Sequence, residues 1–408
     1  MLSLESKNEL SRKDSLIGDI KLKKLIRNLF FVSILVLGVL PLSTITNATV
    51  KADPTEIAII YATGGLGDKS FNDAAERGKI MAEEEYGDDL VITYVEPQTI
   101  PEFATYQDDL AKEDKYALII CVGFLQTSAL EVSAETYPNQ DWLLIDAVLN
   151  KTNVRSITFK EHEGSFLVGA MAAMVTQTEK LGFLGGLDIY LINKFRYGYV
   201  QGAKYINPNI SVKAVYSPDP TNPWGDIAGG KTVGTTFYAD GYDVVYAAAG
   251  GTGIGVMQAA NETDDVYAIG VDSDQDYIVK GKVLCSMLKL VENAVFTTIE
   301  VKMEDTWRDG LSDTEYEQIE LGIKEGGVGI SEMKHTTAIK NGDYTFDGKT
   351  KTRWEHIEDI IEKIEKGHLI VSDSTGKYSE DIPTPGFELY VLLVLLGLAV
   401  FQIRRRRR

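Results

Sequence analysis

From Glu56 onward the chain alternates short apolar runs with longer stretches whose apolar residues recur every three to four positions. The runs predict strands at Ile57–Tyr61, Leu90–Tyr94, Leu118–Val122, Trp142–Asp146, Val154–Phe159, Lys180–Leu184, Val212–Tyr216, Val244–Ala248, Tyr267–Val271 and Val283–Leu288. The periodic stretches predict helices between them, among them Asp73–Tyr86, Tyr106–Glu113, Glu163–Gln177, Phe195–Ile206 and Gly253–Ala260. A strand that is apolar throughout is buried on both faces, so these runs imply parallel sheets covered by helices on either side. That many strands fit two doubly wound lobes better than one sheet. A further amphipathic helix is predicted at Trp354–Lys366, and residues 331–350 are too polar to assign.

In parallel sheets, ligands meet the loops that leave the carboxyl ends of the strands. Here those loops hold the polar, glycine and aromatic residues of the region. Ala-Thr-Gly-Gly-Leu-Gly-Asp-Lys-Ser-Phe-Asn-Asp follows the first strand at 62–73. Gly123-Phe124, Asp146, the glycine-rich 249–255 and Asp272-Ser-Asp-Gln follow later ones. The layout is that of a cleft.

Both ends of the chain differ from its body. Lys21, Lys23, Lys24 and Arg27 precede the apolar run Leu29–Leu40, and Val50-Lys51-Ala52 has small residues at the −3 and −1 positions. Residues 1–52 therefore read as a secretory signal peptide cleaved after Ala52. At the other end Pro385-Gly386-Phe387 precedes the apolar run Leu389–Ile403 and the cluster Arg404–Arg408. Residues 386–408 read as a hydrophobic sorting or anchor segment, with 371–385 as a polar tether. Basic residues stay on the cytoplasmic side, which places the body outside the cell. The body between the ends holds 28 basic and 55 acidic residues, a net of −27. Such a surface repels nucleic acid.

Catalytic signatures are sparse. The four histidines form no metal spacing, and there is no GxSxG motif. Neither glycine-rich loop is followed by the Lys-Ser/Thr of a phosphate-binding loop. Cys121 and Cys285 match no CxxC pattern and read as buried small apolar residues. No cofactor or metal is expected, and no enzyme activity.

Seven blocks, in order, carry a family resemblance. They are Gly65-Leu-Gly-Asp-Lys-Ser-Phe-Asn-Asp, Glu163-Gly-Ser-Phe-Leu-Val-Gly-Ala, Gly182-Phe-Leu-Gly-Gly-Leu-Asp-Ile, Phe195-Arg-Tyr-Gly-Tyr-Val-Gln-Gly-Ala, Ala249-Gly-Gly-Thr-Gly-Ile-Gly-Val, Gly270-Val-Asp-Ser-Asp-Gln and Ser286-Met-Leu-Lys289. From about Glu56 to Gly329 the chain resembles the basic membrane protein family of ABC-transporter substrate-binding proteins, and its purine nucleoside receptors in particular. The C-terminus resembles archaeal Pro-Gly-Phe sorting signals, which are cut and replaced by a lipid. The resemblance implies an α/β type I periplasmic-binding-protein fold over 53–370. Lobe 1 would span roughly 55–158 and lobe 2 roughly 159–283, each with a later segment, joined by a hinge of three crossings around a ligand cleft.

By the same resemblance Phe71 and Phe195 stack on the two faces of a base, and Asn72 and Asp146 read its edge. Asp272 and Lys289 hold the ribose hydroxyls, and Gly251 belongs to a loop whose backbone meets the ligand. One position departs from the family: where many members carry a base-reading aspartate, six residues before Asp68, this chain has Ala62. The expected protein is an extracellular, membrane-anchored, monomeric solute-binding protein. It would bind a nucleoside, a purine one by the resemblance, and pass it to the permease and ATPase of an importer. A surface sensory receptor with the same fold and another small ligand is the alternative, and a nucleoside-acting enzyme a third reading.

Overall fold

The computed structural model describes residues 53–308 and 315–380. The expected signal peptide and C-terminal anchor lie outside the described residues. Among these residues no helix is long and apolar enough to cross a membrane.

The first lobe opens with β1 (Thr55–Ile60), α1 (Phe71–Tyr86), β2 (Leu90–Val95), α2 (Ile100–Lys112), β3 (Tyr116–Cys121), α3 (Thr127–Thr136), β4 (Trp142–Ile145) and β5 (Val154–Phe159). The second holds α4 (Glu161–Val175), β6 (Lys180–Gly185), α5 (Tyr190–Ile206), β7 (Ser211–Tyr216), α6 (Ile227–Ala239), β8 (Val244–Ala248), α7 (Gly251–Asn261), β9 (Tyr267–Asp272) and β10 (Val283–Lys289). The chain then returns through α8 (Val291–Met303) and β11 (Glu317–Leu321) to the first lobe, and through β12 (Val328–Ile330) to the second. A short helix α9 (Thr337–Lys340), a hairpin of β13 (Asp343–Phe346) and β14 (Lys349–Thr352), and α10 (Arg353–Glu365) follow.

Two six-stranded sheets result, in the orders β11-β5-β4-β3-β1-β2 and β12-β10-β9-β8-β6-β7. Every pairing is parallel except β10 with β12. The fold is therefore the α/β, two-lobed type I periplasmic-binding arrangement that the apolar runs and the resemblance imply. Strands such as β8, buried at all five positions, carry no polar alternation because helices cover both of their faces. β10 belongs to the second sheet through Lys289, pairing with β9 up to Leu288 and with β12 from Met287 to Lys289. β11, with the pattern Glu-Gln-Ile-Glu-Leu, is an edge strand of the first sheet that alternation at a half-exposed surface kept out of the apolar-run reading.

Three crossings join the lobes: Phe159 to Glu161, Lys289 to Val291, and 322–327. They bind one another. The Lys160 N–H donates to the Leu321 carbonyl at 2.9 Å, and the Leu290 N–H to that of Gly327 at 2.9 Å. Glu163 accepts from the Ile323 N–H at 2.8 Å. The stretch expected as a tether starts as part of the second lobe. β15 (Leu369–Ile370) pairs with β16 (Ser379–Glu380), Ser372 and Gln201 exchange hydrogen bonds at 3.0 and 2.7 Å, and Tyr378 packs edge-on to Tyr205. Its aromatic and apolar positions find partners on α4 and α5, and residues past 380 lie outside the described residues.

The glycines of two sequence blocks mark the contact between α4 and α5. An ideal Cβ on Gly169 would lie 2.2 Å from the Tyr199 carbonyl oxygen, one on Gly198 2.1 Å from that of His162, and one on Gly202 2.0 Å from that of Phe166. Side chains there would force apart the helix that leaves the hinge and the helix that carries Phe195. Gly202→Ala is expected to cost about 1–3 kcal/mol, read as a lower urea midpoint. The same substitution at the open position Gly87 lacks this clash, although its φ of 52° adds backbone strain there.

Candidate functional site

The lobes share one topology, so equivalent strands face each other across the cleft. In each lobe the sheet order reverses beside its first strand, β1 or β6, which is where doubly wound sheets open a crevice. Ala62 and Gly123 line that crevice in the first lobe, and Ala248 to Gly250 in the second. The cleft between them offers about 660 Å³ of empty space, part of it open to solvent. Most of its wall is apolar: Phe71, Phe124, Leu125, Leu191, Ile192, Phe195, Trp224 and Val271 contribute.

The correspondence extends to the polar residues. β4 runs into Asp146 and β9 ends in Asp272, strands at the same place in the two sheets. Both aspartates adopt left-handed backbone, φ 72° and 62°, which this residue type tolerates better than most. Both line the cleft, as do Phe71 at the start of α1 and Phe195 on α5, the corresponding helix of lobe 2.

Lys289 ends β10 at the second crossing and is 2% exposed. Its ammonium lies 2.6 and 2.7 Å from the two Asp146 oxygens and 3.1 Å from Glu161 Oε1. Three rings surround it, with centroids of Phe71, Phe159 and Phe195 at 5.1, 5.0 and 5.6 Å. Burial pulls the Lys289 pKa down, but Asp146, Glu161 and Asp272 together drive it above the usual lysine value and keep it cationic. Glu161, fully buried, lies 2.7 Å from Lys194, which donates to the Phe159 carbonyl at 2.5 Å.

Asp272 accepts from Ser70 Oγ at 2.5 Å across the lobe boundary. The seam continues with Ser273 Oγ donating to the Ser70 carbonyl and Gln275 Nε2 to that of Lys69, each at 2.9 Å. Asn72 accepts the Ala62 N–H on Oδ1 at 2.9 Å. That bond fixes the amide orientation and leaves the Nδ2 donor without a partner among the described residues. Asp68 accepts three backbone N–H groups, from Ser70, Asn72 and Asp73, at 2.8, 2.8 and 3.1 Å, so it holds the loop rather than a ligand.

Six of the seven candidate residues thus line one cleft: Phe71, Asn72, Asp146, Phe195, Asp272 and Lys289. Gly251 does not; its neighbour Gly250 does, while an ideal Cβ on Gly251 would lie 3.0 Å from the Trp224 carbonyl oxygen. That carbonyl also accepts the Thr252 N–H, so the start of α7 faces protein rather than the cleft. Asp146 and Lys289, expected at opposite ends of a ligand, are in direct contact. Three residues went unread. Glu161 and Lys194 lie just before the predicted helices Glu163–Gln177 and Phe195–Ile206, and no motif marks them. Trp224 had a signal, as the lone large apolar residue in the polar loop 217–226. Its ring lies against Gly186, where a Cβ would come within 2.0 Å of it, and Thr252 anchors its loop through the Pro223 carbonyl at 3.0 Å. No group of residues that could hold a metal ion occurs among the described residues.

Burial pushes the Asp272 carboxyl up to about 7, with Lys289 and Ser70 opposing it. A carboxyl that holds its proton more tightly folded than unfolded stabilises fully below its unfolded value, near 3.8. That stability is lost as pH rises through about 7. Asp272→Asn should therefore gain on the wild type by a few kcal/mol between about pH 4 and 7 and run parallel above it. Urea unfolding against pH reads the difference.

The family described as ABC transporter substrate-binding protein PnrA-like matches residues 55–363. Basic membrane protein B of Borrelia garinii is 32% identical over 319 residues, covering 75% of this chain and 90% of its own. The ABC transporter nucleoside-binding protein BmpA of Lactococcus lactis is 33% identical over 315 residues, covering 72% and 86%. A crystal structure of an ABC transporter solute-binding protein from Aeropyrum pernix superposes with a TM-score of 0.66 at 28% identity, covering 79% and 94%. This chain belongs to the Bmp family of PnrA-like ABC-transporter substrate-binding proteins.

Proposed function

We propose that the chain is exported, held at the outer face of the membrane by its C-terminal segment, and binds a nucleoside for an ABC importer. Phe71 and Phe195 would stack on the two faces of the base. Asp146, Asp272 and Lys289 would take the ribose hydroxyls. The observation that carries this reading is the placement of two phenylalanines from opposite lobes around one ammonium, 5.1 and 5.6 Å from their rings, beside two carboxylates. Stacking suits any flat heterocycle, and a carboxylate beside an ammonium suits vicinal hydroxyls, which both donate and accept. A relative named as a nucleoside-binding protein supports the same ligand class.

The contact between Asp146 and Lys289 moves Asp146 from the base edge to the sugar end in this reading. The base edge is left to Asn72, whose free group is a donor, so the ligand presents an acceptor there. Purine rings offer ring nitrogens and, in some, a carbonyl. The carboxylates repel phosphate, so nucleosides are taken in preference to nucleotides.

Calorimetric titration of the purified full chain tests this. A purine nucleoside should bind, its monophosphate should bind at least about tenfold more weakly, and Phe195→Ala should cost about 1–3 kcal/mol of affinity. Absence of binding by every common nucleoside at millimolar concentration would sink the ligand assignment while leaving the fold and family intact.

A further inference from the structure

Glu161 is wholly buried and is not part of the cleft wall, yet it is tied to the one cation that is. It follows the first crossing directly, as the first residue of α4, and Lys289 precedes the second, as the last residue of β10. Their 3.1 Å contact therefore bridges two of the three strands about which the lobes can turn. Groups that near the axis of a hinge move least when the lobes open.

The charges around this contact are few. Two lysines, Lys194 and Lys289, face two carboxylates, Asp146 and Glu161. Asp146 touches Lys289 alone among the described residues, whereas Glu161 touches both lysines. The Glu161 carboxylate is held by the two ammonium groups, Lys194 at 2.7 Å and Lys289 at 3.1 Å. A buried carboxylate placed at such cost, outside the cleft, acts as counter-ion to what lies inside it. With Glu161 present, Asp146 is not the sole anion balancing Lys289. Both can then turn hydrogen-bonding capacity towards an uncharged ligand.

We propose that Glu161 is a positioning residue for ligand binding: from the hinge it fixes the Lys289 ammonium in the cleft and, as counter-ion, leaves Asp146 free for the ligand's hydroxyls. The inference rests on the nucleoside reading of the site. It assigns a ligand-binding role to a residue that touches no ligand, through a cation that does.

The test uses the full chain and whichever of adenosine, guanosine, cytidine and uridine binds it most tightly, with the 2′,3′-dideoxy counterpart. The dideoxy compound keeps the base and lacks the hydroxyls. Glu161→Gln should lower affinity for the ribonucleoside by about tenfold or more, with less than about twofold change for the dideoxy compound. The double variant Glu161→Gln/Lys194→Gln restores the charge balance and serves as well where the single variant does not fold. It should show the same loss of discrimination. Recovery of wild-type discrimination in the double variant would mean that Glu161 only neutralises Lys194, and would overturn the inference. Equal weakening of both compounds would overturn it too, as a general structural effect. Failure of the wild type to bind any of the four nucleosides would instead remove the nucleoside reading, and this inference with it.

Discussion

An ammonium 2% exposed, set between two lobes that must part and meet, is the constraint around which the rest of this structure is arranged. Charge at that depth is costly unless it is paired. The pairing comes from both lobes: Asp146 closes β4 of the first, and Glu161 opens α4 of the second. Three phenylalanine rings fill the remaining space at 5.0–5.6 Å, a range in which an aromatic face attracts a cation. The hinge is thus more than a strip of covalent connections. It is the place where charge from three segments is neutralised.

Topology explains how so small a site draws on so much of the chain. Two sheets with the same strand order put the same structural positions opposite one another. The left-handed ends at Asp146 and Asp272 and the helices carrying Phe71 and Phe195 are therefore matched pairs rather than independent coincidences. The match is broken where the function needs asymmetry. Of the strands that lead to the first two crossings, β5 ends in Phe159 and β10 in Lys289. One lobe contributes an aromatic wall there and the other contributes the cation.

Much of this was legible in the chain. Apolar runs marked ten of the strands in both sheets because those strands are buried on two faces, and their ends marked the cleft. β11 and β12 were not legible: both are edge strands, β11 half-polar and β12 only three residues long. Phe71, Asn72, Phe195, Asp272 and Lys289 were found through motif resemblance, and spacing alone would not have separated them from core or surface residues. Glu161 and Lys194 escaped because they fall just before the helices predicted from periodicity, where a charged residue reads as solvent-facing. Only the approach of α4, α5 and β10 makes a buried pair of them. The distance between Asp146 and Lys289 was out of reach for the same reason. The two are 143 positions apart, and their contact joins the ends of β4 and β10 across the lobe boundary.

The Ala62 substitution gains a physical meaning from this arrangement. A methyl side chain at that position leaves its own N–H as the feature that matters, and this N–H occupies the Asn72 oxygen at 2.9 Å. The neighbouring carboxylate, Asp68, is consumed by three backbone N–H groups of its own loop. The first lobe therefore faces the aromatic end of the cleft with an amide donor and no free carboxylate. The other end holds Lys289 against Asp146, with Asp272 in the same wall and Glu161 buried behind them. A ligand that satisfies both ends is flat and acceptor-bearing at one end, and hydroxylated and uncharged at the other. A phosphate would bring negative charge to the end that already holds it, and a free base would leave Lys289 facing an anion cluster with nothing to bridge. In the proposed reading, the opposed lobes would take the base and the charged hinge the sugar, through separate interactions in one cleft.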